Sequence, residues 1–486
     1  MGFVALNRLM FKQKERRRRR RIHNQKSTKV PKKKDSLCQE DDHSEGGKRS
    51  RYPGSNLPED IWCHIHSLMP LRDAAHSACV SHAFLRSWRC HPNLIFTKET
   101  LCLKRNARAG RVARCFTMRV DQILKNHLGI GVKALYLGFP DSCKVDTCRL
   151  DRWLQIGITP GIEEVTVFLP RNYRTKYSFP CSLLFGGCGN SIRHLRLSDC
   201  AFRPPVGFDC LRSLTKLQLY TVCTTGDELG NLFSNSFALE QLELIYCGEL
   251  ISLKIPFWLE RLSFLRVSEC NMLQVIESKA PNLHTLALYG DPVHLTLGES
   301  SQVNAPMVAD KFLNLKCLEI HICAKAFSPA YDYLSLVSFL DASPALETFI
   351  LSVNQNEVKH DSVFGNAWHM RQILGDKHAS IRKVQINGFC SAKSMVELTC
   401  HILENATSLE SLTVDTICDG FTGADVHRCY VQNISECWPI PRDQILEAHK
   451  ALRAVDRYIV GRVPPAVKFN VLEPCSRCHA IDVELP

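Results

Sequence analysis

Near its end the chain carries Cys475-x-x-Cys478-His479, a spacing that by itself suggests a bound group. Two cysteines two residues apart, followed by histidine, match covalent haem attachment, and a C-x-x-C pair is half of a zinc site. Haem attachment needs export, yet the mildly apolar start, residues 1–10, lacks a small-residue cleavage site and runs into charge. Zinc needs a second ligand pair, and the neighbouring sequence offers none. His64 and His66 are two apart, so on a helix they face different sides and form no chelate. P-loop, G-x-G-x-x-G, G-x-S-x-G and H-E-x-x-H spacings are absent. The expectation is a non-enzyme with no metal and no cofactor, whose work is binding.

The strongest charge feature is Arg16, Arg17, Arg18, Arg19, Arg20 and Arg21 in succession, followed by Lys32, Lys33 and Lys34. Six adjacent like charges repel and bury no apolar surface, so residues 1–56 are expected to be a disordered basic tail. Two basic clusters about ten residues apart read as a nuclear import signal, with a merely solvated tail as the bland alternative. The expected location is nucleus and cytoplasm. This tail holds 17 Lys/Arg against 6 Asp/Glu, whereas residues 57–486 hold 44 against 43. A nearly neutral body lacks the basic face that nucleic acid requires, so nucleic-acid binding is unlikely.

At 486 residues, 45% of them hydrophobic, the chain is long enough for more than one unit. No apolar run reaches 18 residues, so no membrane span is expected. The 24 cysteines read as reduced thiols, because no export signal precedes them.

Behind the tail, residues 57–96 read as a compact set of short helices. Pro58 is tolerated in a first helical turn. Ile61, Ile65 and Leu68 form one apolar helical stripe, and Pro70 ends that helix. Asp73, Ala74, Ala75, Ala78 and Cys79 make a small-residue helix, and Val80, Phe84, Leu85 and Trp88 continue the apolar surface. Some forty residues this apolar are marginal alone and gain from a partner. The stretch resembles the F-box. The opening Leu57-Pro58, the centre Ser67-Leu68-Met69-Pro70-Leu71-Arg72-Asp73-Ala74-Ala75 and the close Cys79-Val80-Ser81-x-x-Phe84-Leu85-x-x-Trp88 occur in the family's order and spacing. The resemblance implies docking on a Skp-family adaptor, itself bound to a cullin scaffold. Leu57, Pro58, Ile61, Ile65, Leu68, Pro70 and Leu71 match its adaptor-facing positions, part of which must also be the module's own core. Ala83-Phe84 stands where the family often has Arg or Lys, a departure at the rim.

Downstream, L-x-x-L-x-L recurs eleven times with Ile, Val or Phe substituting. Its central residues are Leu135, Val165, Leu195, Leu217, Leu242, Leu265, Leu286, Leu318, Phe349, Val384 and Leu412, advancing by 21 to 35 residues. That period marks a leucine-rich-repeat solenoid: one strand and one return segment per repeat, stacked as a parallel sheet. The fold class expected is therefore a small all-α F-box module followed by an α/β horseshoe. Cys200, Cys247, Cys270 and Cys323 fall three residues after the last apolar position, where a small side chain sits inside the turn.

Residues between the apolar positions should point to the concave face. Arg196, Gln218, Glu243, Arg266, Glu319 and Gln385 are the candidates there for holding a protein substrate, since their mixed signs suit a protein surface. Residues 97–130 read as a linker or first cap, 131–440 as the solenoid, and 441–486 as a helix–strand cap. In that cap Ile445, His449, Leu452, Val455 and Ile459 lie on one stripe and 467–472 alternates. The segments at 404–410 and 472–478 look like the C-terminal region of plant F-box proteins with FBD-type repeats. The function implied is a substrate receptor of a cullin ubiquitin ligase with an unknown protein substrate and no membrane partner. A non-degradative scaffold and a small-molecule-dependent receptor are the alternatives.

Overall fold

The structure is a computed structural model that describes residues 58–103, 108–141, 143–144, 146–171, 177–290, 312–322, 331–354, 360–365, 370–371, 377–417 and 442–474. Leu57, the clusters Arg16–Arg21 and Lys32–Lys34, Cys323 and the Cys475–His479 motif lie outside the described residues.

Three short helices open the described chain: α1 (Glu59–Ser67), α2 (Leu71–Ser77) and α3 (His82–Arg89). Pro58 and Pro70 stand immediately ahead of α1 and α2, where a missing N–H costs nothing. Ser81 caps α3, its side chain accepting from the Phe84 N–H. The parallel sheet begins at once with β1 (Asn93–Phe96), followed by α4 (Ala109–Asn126), β2 (Ala134–Gly138), α5 (Thr147–Gly157) and β3 (Glu164–Phe168). It continues through β4 (Tyr177–Ser178), β5 (His194–Ser198), β6 (Cys200–Ala201), β7 (Lys216–Tyr220), α6 (Gly226–Phe233) and β8 (Gln241–Ile245). Next come β9 (Ser252–Ile255), β10 (Phe264–Ser268), β11 (Val275–Ser278), β12 (Thr285–Gly290), β13 (Cys317–Ile322), α7 (Val337–Asp341) and β14 (Thr348–Val353). The described chain closes with β15 (Lys383–Asn387), α8 (Lys393–Asn405), β16 (Ser411–Asp415), α9 (Arg442–Ala454) and β17 (Lys468–Leu472).

Thirteen strands form one sheet in the order β1-β2-β3-β5-β7-β8-β10-β12-β13-β14-β15-β16-β17, an α/β leucine-rich-repeat solenoid. All eleven repeat strands expected from the periodicity are present. The register stacks their central apolar residues in one file, from Leu94 and Leu135 through Leu217, Leu242 and Leu286 to Leu412 and Phe469. Leu195, Leu217, Leu242 and Leu286 are buried, so they point inward as expected. The returns after β2, β7, β13 and β15 carry helices α5, α6, α7 and α8, and those after β3, β5, β8 and β10 carry the short strands β4, β6, β9 and β11, which pair as two two-stranded ribbons.

The sheet extends past both limits drawn from the sequence. β1 lies within 57–96, and β17 pairs with β16 beyond 440. The segment 97–130 is mostly the amphipathic helix α4, with Val112, Phe116, Val120 and Leu124 buried. In α9 the buried face is Ile445, Ala448, Ala451 and Ala454, offset from the expected stripe containing His449 and Leu452. Alanines permit close approach, and the larger side chains are displaced to the half-buried flank. Among the described residues no helix is long and apolar enough to cross a membrane.

At successive strand exits the chain turns through left-handed backbone at Asp199, Thr221, Tyr246 and Glu269, with φ between 52° and 58°. Each N–H then donates to the next strand: Asp199 to Tyr220 O at 2.9 Å, Thr221 to Ile245 O at 2.7 Å, Tyr246 to Ser268 O at 2.8 Å and Glu269 to Tyr289 O at 2.7 Å. Gly290 takes the same place with φ 123°, and a Cβ there would lie 3.2 Å from the Glu269 nitrogen. Inside the turns, the Cys247 thiol donates to Leu219 O at 3.8 Å and the Cys270 thiol to Leu244 O at 3.6 Å. The cysteine positions are thus structural, tying each turn to the preceding strand. Thr221 is β-branched and pays most for its conformation. Thr221→Gly is expected to raise the unfolding free energy by about 1 kcal/mol, read from the urea midpoint; a lower midpoint would mean side-chain packing outweighs the strain.

Candidate interaction surfaces

The α1 stripe divides in two. Trp62 turns inward against Phe84, ring centroids 4.6 Å apart, and His66 packs edge-on to Phe84 at 5.1 Å. His66 is buried and bonds the Ser77 hydroxyl at 3.2 Å, and burial pushes its pKa down. On the adjacent face Ile61, Ile65 and Leu68 are 40%, 37% and 75% exposed. Pro58 and Pro70 flank them, also exposed, and Val80 is exposed at the end of α2. Leu71 differs from the other expected contact residues. It is buried in the core, because α2 packs that side chain toward β1. Five of the seven proposed contact residues, Pro58, Ile61, Ile65, Leu68 and Pro70, therefore form an exposed apolar ridge. An exposed apolar ridge of this kind is a candidate surface for a protein contact.

A histidine junction fixes this module to the first repeat. His91 is buried; its Nε2 bonds Met69 O at 3.1 Å while Nδ1 accepts from the Asn93 N–H at 3.1 Å. His127, also buried, donates from Nε2 to His91 O at 3.0 Å, and its Nδ1 accepts from the Gly129 N–H at 2.9 Å. The Leu128 N–H reaches Arg89 O at 2.9 Å. Both imidazoles are held below the ordinary histidine pKa by burial, which keeps them neutral and their tautomers set by these bonds. Sequence reasoning missed this junction because single histidines carry no periodic signal.

The sheet face away from the core carries the second surface. Its middle row, one residue per strand, includes all six expected substrate contacts: Arg196, Gln218, Glu243, Arg266, Glu319 and Gln385. Gln385 is taken up by its own strand, donating to Asn387 Oδ1 at 3.0 Å. Glu243 is only 8% exposed, not the solvated side chain the alternation suggests. Gln218 donates to it at 2.7 Å and Lys216 stands 3.4 Å away, which closes its surface. The Arg196 guanidinium lies 4.5 Å from the Phe168 centroid and 4.7 Å from that of Tyr220, two rings whose centroids are 6.3 Å apart. Arg266 lies 4.4 Å over Tyr289, which in turn stacks on His321 at 4.0 Å. Burial, helped by the Arg266 charge, pushes His321 down to about 4. Phe168, Tyr220, Tyr289 and His321 form the next row and were missed, since L-x-x-L-x-L stops one residue short of them. A rule adding the residue after each repeat's last apolar position finds all four. Rigid aromatic and arginine side chains on an open face are the composition of protein-binding hot spots.

Family models match two parts of the chain. The At1g61320/AtMIF1 LRR domain model covers residues 123–305 and 301–476, and the F-box domain model covers residues 55–96. The chain is similar to the FBD-associated F-box protein At3g52670 of Arabidopsis thaliana, 25% identical over 387 residues that cover 74% of this chain and 88% of that protein. It is also similar to the Arabidopsis F-box/FBD/LRR-repeat protein At1g13570, 24% identical over 298 residues covering 61% of each chain. The match thus spans about three fifths of that second relative.

Proposed function

The chain belongs to the plant F-box/leucine-rich-repeat family, and from that membership we propose that it is a substrate-receptor subunit of an SCF-type cullin ubiquitin ligase. The observation that carries the reading is the exposed ridge of Ile61, Ile65 and Leu68 between Pro58 and Pro70. In this reading the ridge docks on a Skp-family adaptor, and the open sheet face holds a protein substrate. The His91 and His127 junction keeps the two at a set distance and angle. Ubiquitin chemistry then belongs to other subunits, and this chain contributes effective concentration.

Ile65→Asp with Leu68→Asp is expected to lower capture of a co-expressed Skp-family adaptor by the full chain at least tenfold, because each charge would be desolvated at the contact. The unfolding transition of the repeats should stay where it is, since both side chains are exposed. Undiminished capture sinks the docking reading. Partners captured by the wild-type chain should accumulate when the proteasome is inhibited, and steady levels would instead favour a non-degradative scaffold. The basic clusters give a further proposal, nuclear import. Replacing Arg16 to Arg21 by Ala should move a fluorescent fusion toward the cytoplasm, and unchanged nuclear accumulation would leave a solvated tail only.

A further inference from the structure

On the open face the acids and the arginines are treated differently. Glu243 is matched by Gln218 and Lys216, and Glu319 accepts from the Tyr289 hydroxyl at 3.3 Å. Arg196 and Arg266 have no carboxylate within ion-pair distance among the described residues. The Nε of each is buried without a hydrogen-bond partner. Two rings, Phe168 and Tyr220, lie against the Arg196 guanidinium, and one ring, Tyr289, lies against that of Arg266. What each offers a ligand is its edge, the planar fork of N–H donors that fits a carboxylate with two parallel bonds. Stacking has already removed the rotamer freedom that such a bond would otherwise cost.

The two forks share one row. β5 pairs β7, β7 pairs β8 and β8 pairs β10, so Arg196 and Arg266 are three strand steps apart. Three steps at about 4.8 Å make roughly 14 Å, the length of about four residues of extended chain. A segment laid across the strands would thus bring residues i and i+4 to the two arginines. Between them it passes over Glu243, which repels an acid in the middle. Each fork stands as a single cation, the match for a monoanionic carboxylate; a phosphate dianion calls for several cations together.

We propose that the open face binds an extended acidic segment of a protein partner, Glu/Asp-x-x-x-Glu/Asp with a non-acidic middle, one carboxylate on Arg196 and the other on Arg266. The proposal rests on the receptor reading and names its substrate chemistry. It is tested with the purified full chain on an array of 12-residue peptides carrying two Glu separated by two to six positions. Matched arrays carry Gln, or phosphoserine, at the same places. Retention should peak at the i, i+4 spacing and fall at least tenfold for the Gln array. It should fall as far for Arg196→Gln or Arg266→Gln, the scale expected when a charge-assisted bidentate bond is lost. Equal retention of Glu and Gln peptides overturns the proposal, as does a preference for phosphoserine. If either Arg variant misfolds, the Glu-against-Gln comparison on the wild-type chain still decides. The array reads no adaptor or ubiquitin step. Acid selectivity without partner turnover would overturn the receptor reading alone, and turnover without acid selectivity would overturn this inference alone.

Discussion

Leu242→Ala is expected to lower the unfolding free energy by about 2–5 kcal/mol, the range for a buried leucine truncated in a packed core. Leu242 is fully buried on β8, and the register places it between Leu217 on β7 and Leu265 on β10. Each repeat meets only its neighbours, so a cavity there weakens two stacking contacts at once and cannot be filled from elsewhere. Glu243→Ala, one residue on, should cost about 1 kcal/mol, more than an ordinary surface change. The difference from a solvated position comes from Lys216 and Gln218, which would each lose their partner. Denaturant midpoints of the two purified variants measure both. Equal losses would mean that the strand register is shifted by one and that the open face has been misassigned.

Acid should destabilise the fold before its carboxylates titrate. His321 is packed on Tyr289 and lies near Arg266, with Glu319 4.0 Å away, and it titrates near 4 rather than 6.5. Between those values the unfolded chain binds the proton and the folded chain does not. The stability it contributes is therefore fully present above about pH 6.5 and is lost as pH falls toward 4. A shift of that size corresponds to roughly 3 kcal/mol. His66, His91 and His127 are also pushed down by burial, and add in the same direction. His321→Phe keeps a ring on Tyr289 and removes the titration. Its urea midpoint should fall less between pH 7.5 and 5 than that of the wild type. A parallel fall in both proteins would show that His321 is protonated as readily in the folded state as outside it.

These two results bear on the same functional arrangement. The apolar file sets the strand spacing, and through it the separation of Arg196 from Arg266. The buried imidazoles at the junction set where the α1 ridge stands relative to that face. On the proposed receptor reading both need to be stiff, since a partner held at a wandering distance gains little effective concentration.

Much of this was legible in the residues alone. The file of Leu, Ile, Val and Phe at L-x-x-L-x-L spacing determined the strands, their parallel stacking and which side chains face the core, because burial on one face demands a period of two inside each repeat. Pro58, Pro70 and the stripe of Ile61, Ile65 and Leu68 determined a short helix with an apolar ridge. The thiols of Cys247 and Cys270 were placed correctly inside their turns for the same periodic reason. Other features depend on neighbours far apart in the chain. Leu71 matched the family's contact pattern, yet packing against β1 buries it. Glu243 alternates outward, yet Lys216 and Gln218 from the adjacent strand close over it. Strand β1 is too short to show a period, and it forms because β2 offers an edge to pair with. The Arg196 ring contacts join side chains from β3, β5 and β7, and the His91–His127 junction joins residues 36 positions apart. Periodicity records which way a residue points, while what it meets there is decided by the strand that pairs beside it.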